Sequence, residues 1–194
     1  MPDLTLQVAA GNSDAWYMQN APFDKCHRTE STVRFGAHDM GVSNWSRDHA
    51  GFHFTSVPLD DKITIVTARL YLKATSTATP TVDVHLGCED VDNAADFLGG
   101  SCDASARTMT TAYTAWASAT TTAGAWFYSD DFAAAVQEVI DRGGWSYNNA
   151  LAVLLVRQVE TGDHCDVYAY ENASADAAKL VITYKYKHFA GTMI

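Results

Sequence analysis

The feature that most constrains the fold is a set of segments in which apolar and polar residues alternate. The clearest is residues 63–74, ITIVTARLYLKA. A period of two places alternate side chains on opposite faces of a strand, here Ala68, Leu70 and Leu72 on one face and Arg69, Tyr71 and Lys73 on the other. This pattern predicts a β-strand with one buried face.

Other segments extend this pattern along the chain. Residues 80–87 (PTVDVHLG), 165–171 (CDVYAYE) and 179–186 (KLVITYKY) are β-branched and aromatic, whereas residues 150–156 (ALAVLLV) are apolar at every position. An uninterrupted apolar run of this length predicts a central strand covered on both faces. Because strands do not alternate with helices, we expect an all-β antiparallel sandwich.

Residues 130–145, DDFAAAVQEVIDRGGW, are the one stretch that predicts a helix, over about residues 131–142. Apolar residues recur at helical spacing, at Phe132, Val136, Val139 and Ile140. Asp130 or Asp131 suits the N-cap, and Gly143 with Gly144 ends the helix. We expect one docked face, flanked by Trp126 and Trp145 as packing anchors.

Composition excludes several classes of protein. The 194 residues suit one domain, and 23 acidic against 13 basic residues give a net charge of −10, which disfavours nucleic acid as a partner. No apolar run approaches the roughly 20 residues of a membrane helix. The first residues lack a secretory signal, so the chain is expected to be made in the cytoplasm or to have lost its signal.

Four cysteines, Cys26, Cys88, Cys102 and Cys165, allow three pairings. Cys88 and Cys102 bracket a short acidic loop, and we expect a disulfide between them. The alternative, that all four are reduced and buried, carries equal weight.

Residues 54–72 (FTSVPLDDKITIVTARLYL) resemble the F-x-x-x-P and I-x-x-A-x-L-x-L signature of the DNRLRE, or disaggregatase-related, domains. Residues 114–116 (TAW), the helical stretch, and residues 149–155 and 179–184 resemble the later parts of that pattern. The resemblance implies a carbohydrate-binding-module-like jelly roll over residues 14–187, with an N-terminal arm at 1–13 and a C-terminal tail at 188–194. Ala178 stands where the pattern has proline, and residues 35–51 are longer than the pattern requires, so no ligand residue is carried over.

The most site-like segment runs from His38 to His53. Its polar and aromatic side chains crowd around two glycines, and an exposed Trp beside polar groups suits a sugar ring. The candidate residues for binding a glycan or a partner are His38, Asp39, Asn44, Trp45, Arg47 and His49. The alternative is a long loop packed by its own Trp or against a neighbouring subunit.

Enzyme motifs are absent from the sequence, and the paired carboxylates Asp60–Asp61 and Asp130–Asp131 suit a turn and a helix cap. We therefore expect no catalytic residue and no cofactor. The acidic loop offers a weak calcium alternative through Asp90, Asp92 and Asp96, but it lacks the spacing of a known calcium loop, and a solvated charge run is favoured.

Apolar residues near both ends predict docking arms, namely Leu4, Leu6, Phe189, Met193 and Ile194. Single-domain chains with this pattern resemble structural proteins of tailed-phage virions. We therefore expect a non-enzymatic virion surface subunit, a capsid decoration or fibre-type protein with possible glycan affinity. It would bind a capsid protein and form a homo-oligomer, with a trimer as first choice. The alternative is a carbohydrate-binding or adhesive module of a secreted, extracellular bacterial protein.

Overall fold

The computed structural model describes residues 1–22, 24–41, 44–98, 102–160 and 162–187, and it confirms the all-β prediction. The described residues form one α-helix, α1 (Ala133–Ile140), and strands in two antiparallel sheets. The strands are β1 (Asp3–Gln7), β2 (Asp14–Gln19), β3 (Lys25–His27), β4 (Thr32–Asp39), β5 (Trp45–Phe54), β6 (Ile63–Lys73), β7 (Thr81–Cys88), β8 (Thr114–Ser118), β9 (Trp126–Tyr128), β10 (Leu151–Arg157), β11 (His164–Tyr168) and β12 (Lys179–Tyr186).

The strand order is that of a jelly roll. One sheet runs β1-β12-β6-β9, and the centre of the other runs β5-β10-β7-β8. Numbering these eight strands along the chain gives the orders 1-8-3-6 and 2-7-4-5, which is the pattern of two nested Greek keys. Residues 63–73, 81–88, 151–157 and 179–186 form strands, as their sequence patterns predict.

Four further strands enlarge the second sheet around β5. One edge of β5 pairs with β10 over residues 50–54 and with β4 over residues 45–48, whereas the other edge pairs with β2 over residues 47–52. The remaining two additions are β3, which pairs with β2, and β11, which pairs with β4. The segment that departs from the family pattern, residues 35–51, is therefore mostly a β-hairpin of β4 and β5.

The main core lies between the two sheets. Alternate residues of the central strands supply it, among them Phe35, Phe52, Leu70, Leu86 and Leu155, all fully buried. Alternation in β6 buries Ala68, Leu70 and Leu72, as predicted. The opposite residues of this strand face outward.

A second apolar cluster covers the outer face of β10. Ala152 and Leu154 point away from the main core and pack against Phe97, which is fully buried. Phe97 belongs to residues 89–98, which with residues 102–113 pack over the outer face of the sheet and form the covering segment. The main core covers one face of β10 and the outer cluster covers the other, which confirms the prediction of a central strand covered on both faces.

Helix α1 is two residues shorter at each end than predicted, and its buried face is Ala135, Val136, Val139 and Ile140. Asp131 lies just before the N-cap, Phe132, yet its carboxylate accepts the backbone N–H groups of Ala133 (3.0 Å) and Ala68 (2.9 Å). The acidic residue therefore joins the helix start to β6.

The two predicted anchors of the helix behave differently. Trp145 is 7% exposed and donates its indole N–H to the Leu59 carbonyl at 2.9 Å, as expected of an anchor. Trp126 is 37% exposed on the outer face of the four-stranded sheet, so its predicted packing role is wrong.

The predicted Cys88–Cys102 disulfide is wrong, because Cys102 bonds to Cys26. Cys88 ends β7 with its side chain in the core between the sheets, whereas Cys102 packs in the outer cluster beside Cys26. The sheet thus separates Cys88 from Cys102. Cys88 and Cys165 are free and buried, and burial raises the pKa of the Cys165 thiol to about 12.

The prediction of an N-terminal docking arm is also wrong. Residues 3–7 pair with β12 as the edge strand of the four-stranded sheet, and Leu4 and Leu6 pack against the main core. The strand completes the chain's own sheet, so these leucines are not free for a neighbour. Phe189, Met193 and Ile194, with the whole predicted tail at 188–194, lie outside the described residues.

The described part of the chain contains no helix with the length and apolar character needed to cross a membrane.

Candidate functional site

The predicted site residues lie along the β4–β5 hairpin. His38 and Asp39 end β4, Asn44 precedes β5, and Trp45 and Arg47 are alternate residues at the start of β5. Because side chains alternate along a strand, Trp45 and Arg47 project from the same face of the sheet.

Trp45 and Arg47 line a cavity of about 320 Å³, the Trp45 cavity. It lies where the inserted β2–β3 hairpin meets the start of β5. The full lining is Gln19, Asn20, Ala21, Asp24, Trp45, Arg47 and Glu160. One aromatic ring is thus surrounded by two amides, two carboxylates and a guanidinium, which are groups that orient a polar ligand.

Asn20 holds the base of the cavity in place. Its side-chain amide donates to Asn44 Oδ1 (2.9 Å) and to the Trp45 carbonyl (3.1 Å), while its backbone N–H donates to Asp24 Oδ1 (2.8 Å). These bonds tie the turn after β2 to the first residue of β5. Hydrogen bonds from Asn20 and the pairing with Asp39 of β4 therefore fix the backbone that carries the Trp45 ring.

The charged groups at the rim are loosely held. The Arg47 guanidinium lies 3.6 Å from Glu160 Oε1, with the side chains 36% and 72% exposed. An exposed pair at this distance contributes little to stability. Both groups can therefore turn toward a ligand at small energetic cost.

His49 supports the cavity and does not line it. The ring is buried at the junction where β5 changes partner from β10 to β4; its Nδ1 accepts the Arg157 backbone N–H (3.0 Å), which leaves Nε2–H to donate to Gln19 Oε1 (3.2 Å). Burial lowers the pKa of His49 to about 4, so the ring is neutral near pH 7. It is a positioning residue for Gln19.

His38 and Asp39 lie outside the cavity lining. Asp39 accepts the Gly41 backbone N–H (2.7 Å) and shapes the hairpin turn. The His38 ring meets the His164 ring edge-on, with centroids 5.1 Å apart. Of the six predicted residues, Trp45 and Arg47 line the cavity, and Asn44 and His49 support it. His38 and Asp39 are not part of this site.

A partly buried polar cluster lies beside His38. Arg34 donates to both carboxylate oxygens of Asp166, at 2.7 and 3.0 Å. Asp48 is fully buried, accepts the Ser46 hydroxyl at 2.9 Å, and its burial raises its pKa to about 6. Asp48 Oδ2 and His38 Nδ1 have no hydrogen-bond partner among the described residues.

A second cavity, of about 330 Å³, opens on the face of β7 and β8. Its walls are largely the apolar groups of Val84, Ala115, Trp116, Ala117 and Val159, with Asp83, His85 and Gln158 adding polarity. It offers fewer hydrogen-bonding groups than the Trp45 cavity and suits a sugar less well.

The three aspartates of the calcium alternative do not converge. Asp90 and Asp92 both pair with Arg142, after the helix, whereas Asp96 accepts the Asn12 amide and the Leu98 backbone N–H. Across the described ranges, no group of three or more His, Cys, Asp or Glu side chains is arranged to hold a metal ion.

Sequence reasoning missed Gln19, Asn20, Asp24 and Glu160, which complete the Trp45 cavity. A signal for the first three was present, because residues 14–19 (DAWYMQ) are rich in strand-forming residues and are followed by the turn residues Asn20 and Pro22. Glu160 lies far along the chain, and no local pattern links it to Trp45.

A scan of the sequence against protein-family models finds no match, and a search of curated proteins finds none either. The resemblance to DNRLRE domains therefore stays a prediction, and the inference of function rests on the site.

Proposed function

We propose that this chain is a non-enzymatic binding protein that recognises a glycan in the Trp45 cavity. The observation that carries the proposal is a half-buried Trp ring beside amide, guanidinium and carboxylate groups in a cavity of about 320 Å³. This volume lies at the lower end of the range for small-molecule sites, roughly 300–1,000 Å³.

The Trp45 ring supplies the stacking surface. Among the described residues it has no aromatic or cationic partner, so a ring face is available to the apolar face of a sugar. Asn20 and Asn44 hold the backbone beneath it, which reduces the entropy lost on binding.

The polar groups supply hydrogen bonds to sugar hydroxyls. Gln19 accepts from His49 at Oε1, and its Nε2 donors make no hydrogen bond to a described residue. Arg47 adds donors and Glu160 adds acceptors. A site with both kinds of group matches a hydroxyl, which donates and accepts at once.

The setting we propose is a virion surface, with the chain as a capsid decoration or fibre-type subunit that binds a capsid protein and assembles as a homo-oligomer, with a trimer as first choice. The second candidate is an adhesive module of a secreted bacterial protein. The Cys26–Cys102 disulfide favours either extracellular setting over a reducing cytoplasm.

The test is binding of the wild-type chain to an array of neutral glycans, followed by calorimetry on any sugar that binds. Trp45→Ala is expected to weaken binding by about tenfold or more, since stacking and burial of one aromatic contribute on the order of 1.5 kcal/mol. Tyr113→Ala is the matched control and should bind as wild type, because this exposed ring stacks on His85 beside the β7–β8 cavity, with centroids 4.0 Å apart, and lies away from Trp45.

Two results would overturn the proposal. One is an array with no bound glycan at millimolar affinity. The other is a bound glycan whose affinity is unchanged in Trp45→Ala. If Tyr113→Ala then loses affinity for that glycan, the binding site lies on the β7–β8 face.

A further inference from the structure

The outer face of the four-stranded sheet carries aromatic and cationic side chains together. Leu70, Leu72 and Leu180 point into the core, so their alternating neighbours on β6, β9 and β12 point outward. The outward set is Arg69, Tyr71, Lys73, Trp126, Tyr128 and Lys179, and we call it the cationic face.

The aromatic rings hold two of the cations in place. Lys179 Nζ lies over the Trp126 ring, 4.2 Å from its centroid, and Arg69 Cζ lies over the Tyr128 ring at 5.0 Å. Tyr71 packs beside Tyr128, with centroids 5.3 Å apart. A ring attracts a cation through its quadrupole and leaves the positive charge unneutralised.

Carboxylates neutralise only part of this face. Lys73 Nζ pairs with Asp176 at 2.7 Å, whereas Arg69 donates to the neutral Ser129 carbonyl at 3.1 Å. Within the described part of the chain, neither Arg69 nor Lys179 has a carboxylate at ion-pair distance. Their positive charge is therefore available to an external anion.

Arg69 and Lys179 differ from the arginines that form ion pairs elsewhere in the molecule. The chain has a net charge of −10, and Arg34, Arg107 and Arg142 each pair with an acidic side chain. Arg69 and Lys179 thus place two cations without a carboxylate partner among the described residues side by side on one sheet face of an acidic chain. Charge complementarity points to an anionic occupant.

We propose that the cationic face binds a polyanionic glycan, a polysaccharide with repeated carboxylate or sulfate groups, through Arg69 and Lys179. Lys179 pairs with Tyr71, two residues from Arg69, so the two cations form a diagonal across β6 and β12. Such diagonal positions are about 7–8 Å apart at the backbone, which suits successive charges on an extended polymer.

A single-stranded nucleic acid fits this face less well. Its bases bind by stacking on free aromatic faces, and here Lys179 and Arg69 already lie over the Trp126 and Tyr128 rings. The anionic groups of a glycan need no free ring. The surface lies on the opposite sheet from the Trp45 cavity, so this proposal goes beyond the proposed function and does not depend on it.

The experiment measures binding of the full chain to immobilised polygalacturonate and dextran sulfate at about 50 mM salt. Neutral dextran and an oligothymidylate are the comparison polymers. We expect both anionic glycans to bind and neutral dextran not to bind. Arg69→Glu with Lys179→Glu should weaken binding by about tenfold or more, because two charge contacts become repulsive.

The matched control is Lys25→Glu with Lys62→Glu, which makes the same change in net charge at exposed lysines elsewhere. A milder pair, Arg69→Gln with Lys179→Gln, should also lose affinity and keeps the test valid if the charge reversal disturbs folding. Trp45→Ala should bind the anionic glycans as wild type, which separates this surface from the cavity.

The proposal is overturned by absence of binding to both anionic glycans, or by an equal loss in the Lys25 and Lys62 control. Tighter binding of the oligothymidylate with the same dependence on Arg69 and Lys179 would overturn the choice of a glycan. Loss of anionic-glycan binding in Trp45→Ala would place the polymer in the cavity.

Discussion

Asp14 and Asp48 are buried carboxylates, each with one oxygen that accepts no hydrogen bond from a described residue. Asp14 is 1% exposed; its Oδ2 accepts the Tyr170 backbone N–H at 2.9 Å, and its Oδ1 has no partner among the described residues. Burial outweighs this hydrogen bond and raises the pKa of Asp14 from its ordinary 3.8 to about 7. The folded protein therefore carries Asp14 substantially protonated at neutral pH.

This raised pKa predicts how the stability changes with pH. The native state binds the Asp14 proton more tightly than the unfolded chain does, so protonation of Asp14 stabilises the fold. This contribution is fully present below the unfolded pKa near 4 and is lost as pH rises through about 7. Asp14→Asn cannot ionise. Its free energy of unfolding relative to wild type should therefore rise between pH 4.5 and 8, by on the order of 2–4 kcal/mol.

Urea unfolding of both proteins at several pH values measures this difference. Asp61→Asn, which removes one carboxylate at an exposed position, is the matched control. A difference between Asp14→Asn and wild type that stays constant with pH would show that Asp14 ionises normally in the folded state.

The cysteines give a second prediction at the level of single side chains. Peptide mapping without reduction should find Cys26 joined to Cys102, while Cys88 and Cys165 react with a thiol reagent only after denaturation, because both are buried. Removing the bridge by Cys26→Ser and Cys102→Ser should lower the free energy of unfolding by about 4.5 kcal/mol through loop-closure entropy, since the closed loop spans 76 residues. A Cys88–Cys102 peptide in the unreduced map would contradict the pairing.

Helix α1 packs against the sandwich through one apolar face. Val136 is fully buried against the sandwich, whereas Ala134, two residues earlier, is exposed. Val136→Asp would bury an unpaired charge and should lower the free energy of unfolding by several kcal/mol. Ala134→Asp introduces the same charge near the helix N-terminus, where an acidic residue is tolerated or favourable.

Thermal unfolding followed by circular dichroism compares the two helix variants. We expect a melting temperature lowered by about 10 °C or more for Val136→Asp and within a few degrees of wild type for Ala134→Asp. Equal melting temperatures in both variants would mean that α1 does not dock through Val136.

Assembly is a question for the entire chain, and the structure changes the expected result of truncation. Residues 3–7 form β1 and close one edge of the four-stranded sheet, with Leu4 and Leu6 against the core. Deleting residues 1–8 should therefore expose the β12 edge and lower the melting temperature.

Sedimentation of the intact chain tests the homo-oligomer separately. The trimer and the capsid partner stay predictions. A monomer at micromolar concentration that binds no capsid shell would contradict both, whatever the result of the truncation.

The site shows how far local patterns extend. Trp45 and Arg47 were predicted because a Trp among polar residues is visible within one segment, and the structure brings both to one cavity. Glu160 was not predicted, because it reaches the cavity only through the return of the chain after β10. His49 looked like a ligand-binding residue, but the junction of β5, β10 and β4 buries it.

The sequence by itself determined the elements whose signal is local. Alternation in residues 63–73 defined a strand with one buried face, the apolar run at 151–157 required cover on both sides, and helical spacing identified α1. These features follow from the period of side chains along a strand or a helix, which neighbouring residues alone establish.

Only the tertiary structure decided which distant segments meet. It paired Cys102 with Cys26 and not with Cys88, because the sheet separates Cys88 from Cys102 although they are consecutive cysteines in the sequence. It joined β1 to β12, the two ends of the described chain, and it collected Arg69, Lys179 and Trp126 on one face. Such contacts depend on strand order across two sheets, and residue spacing along the chain does not encode that order.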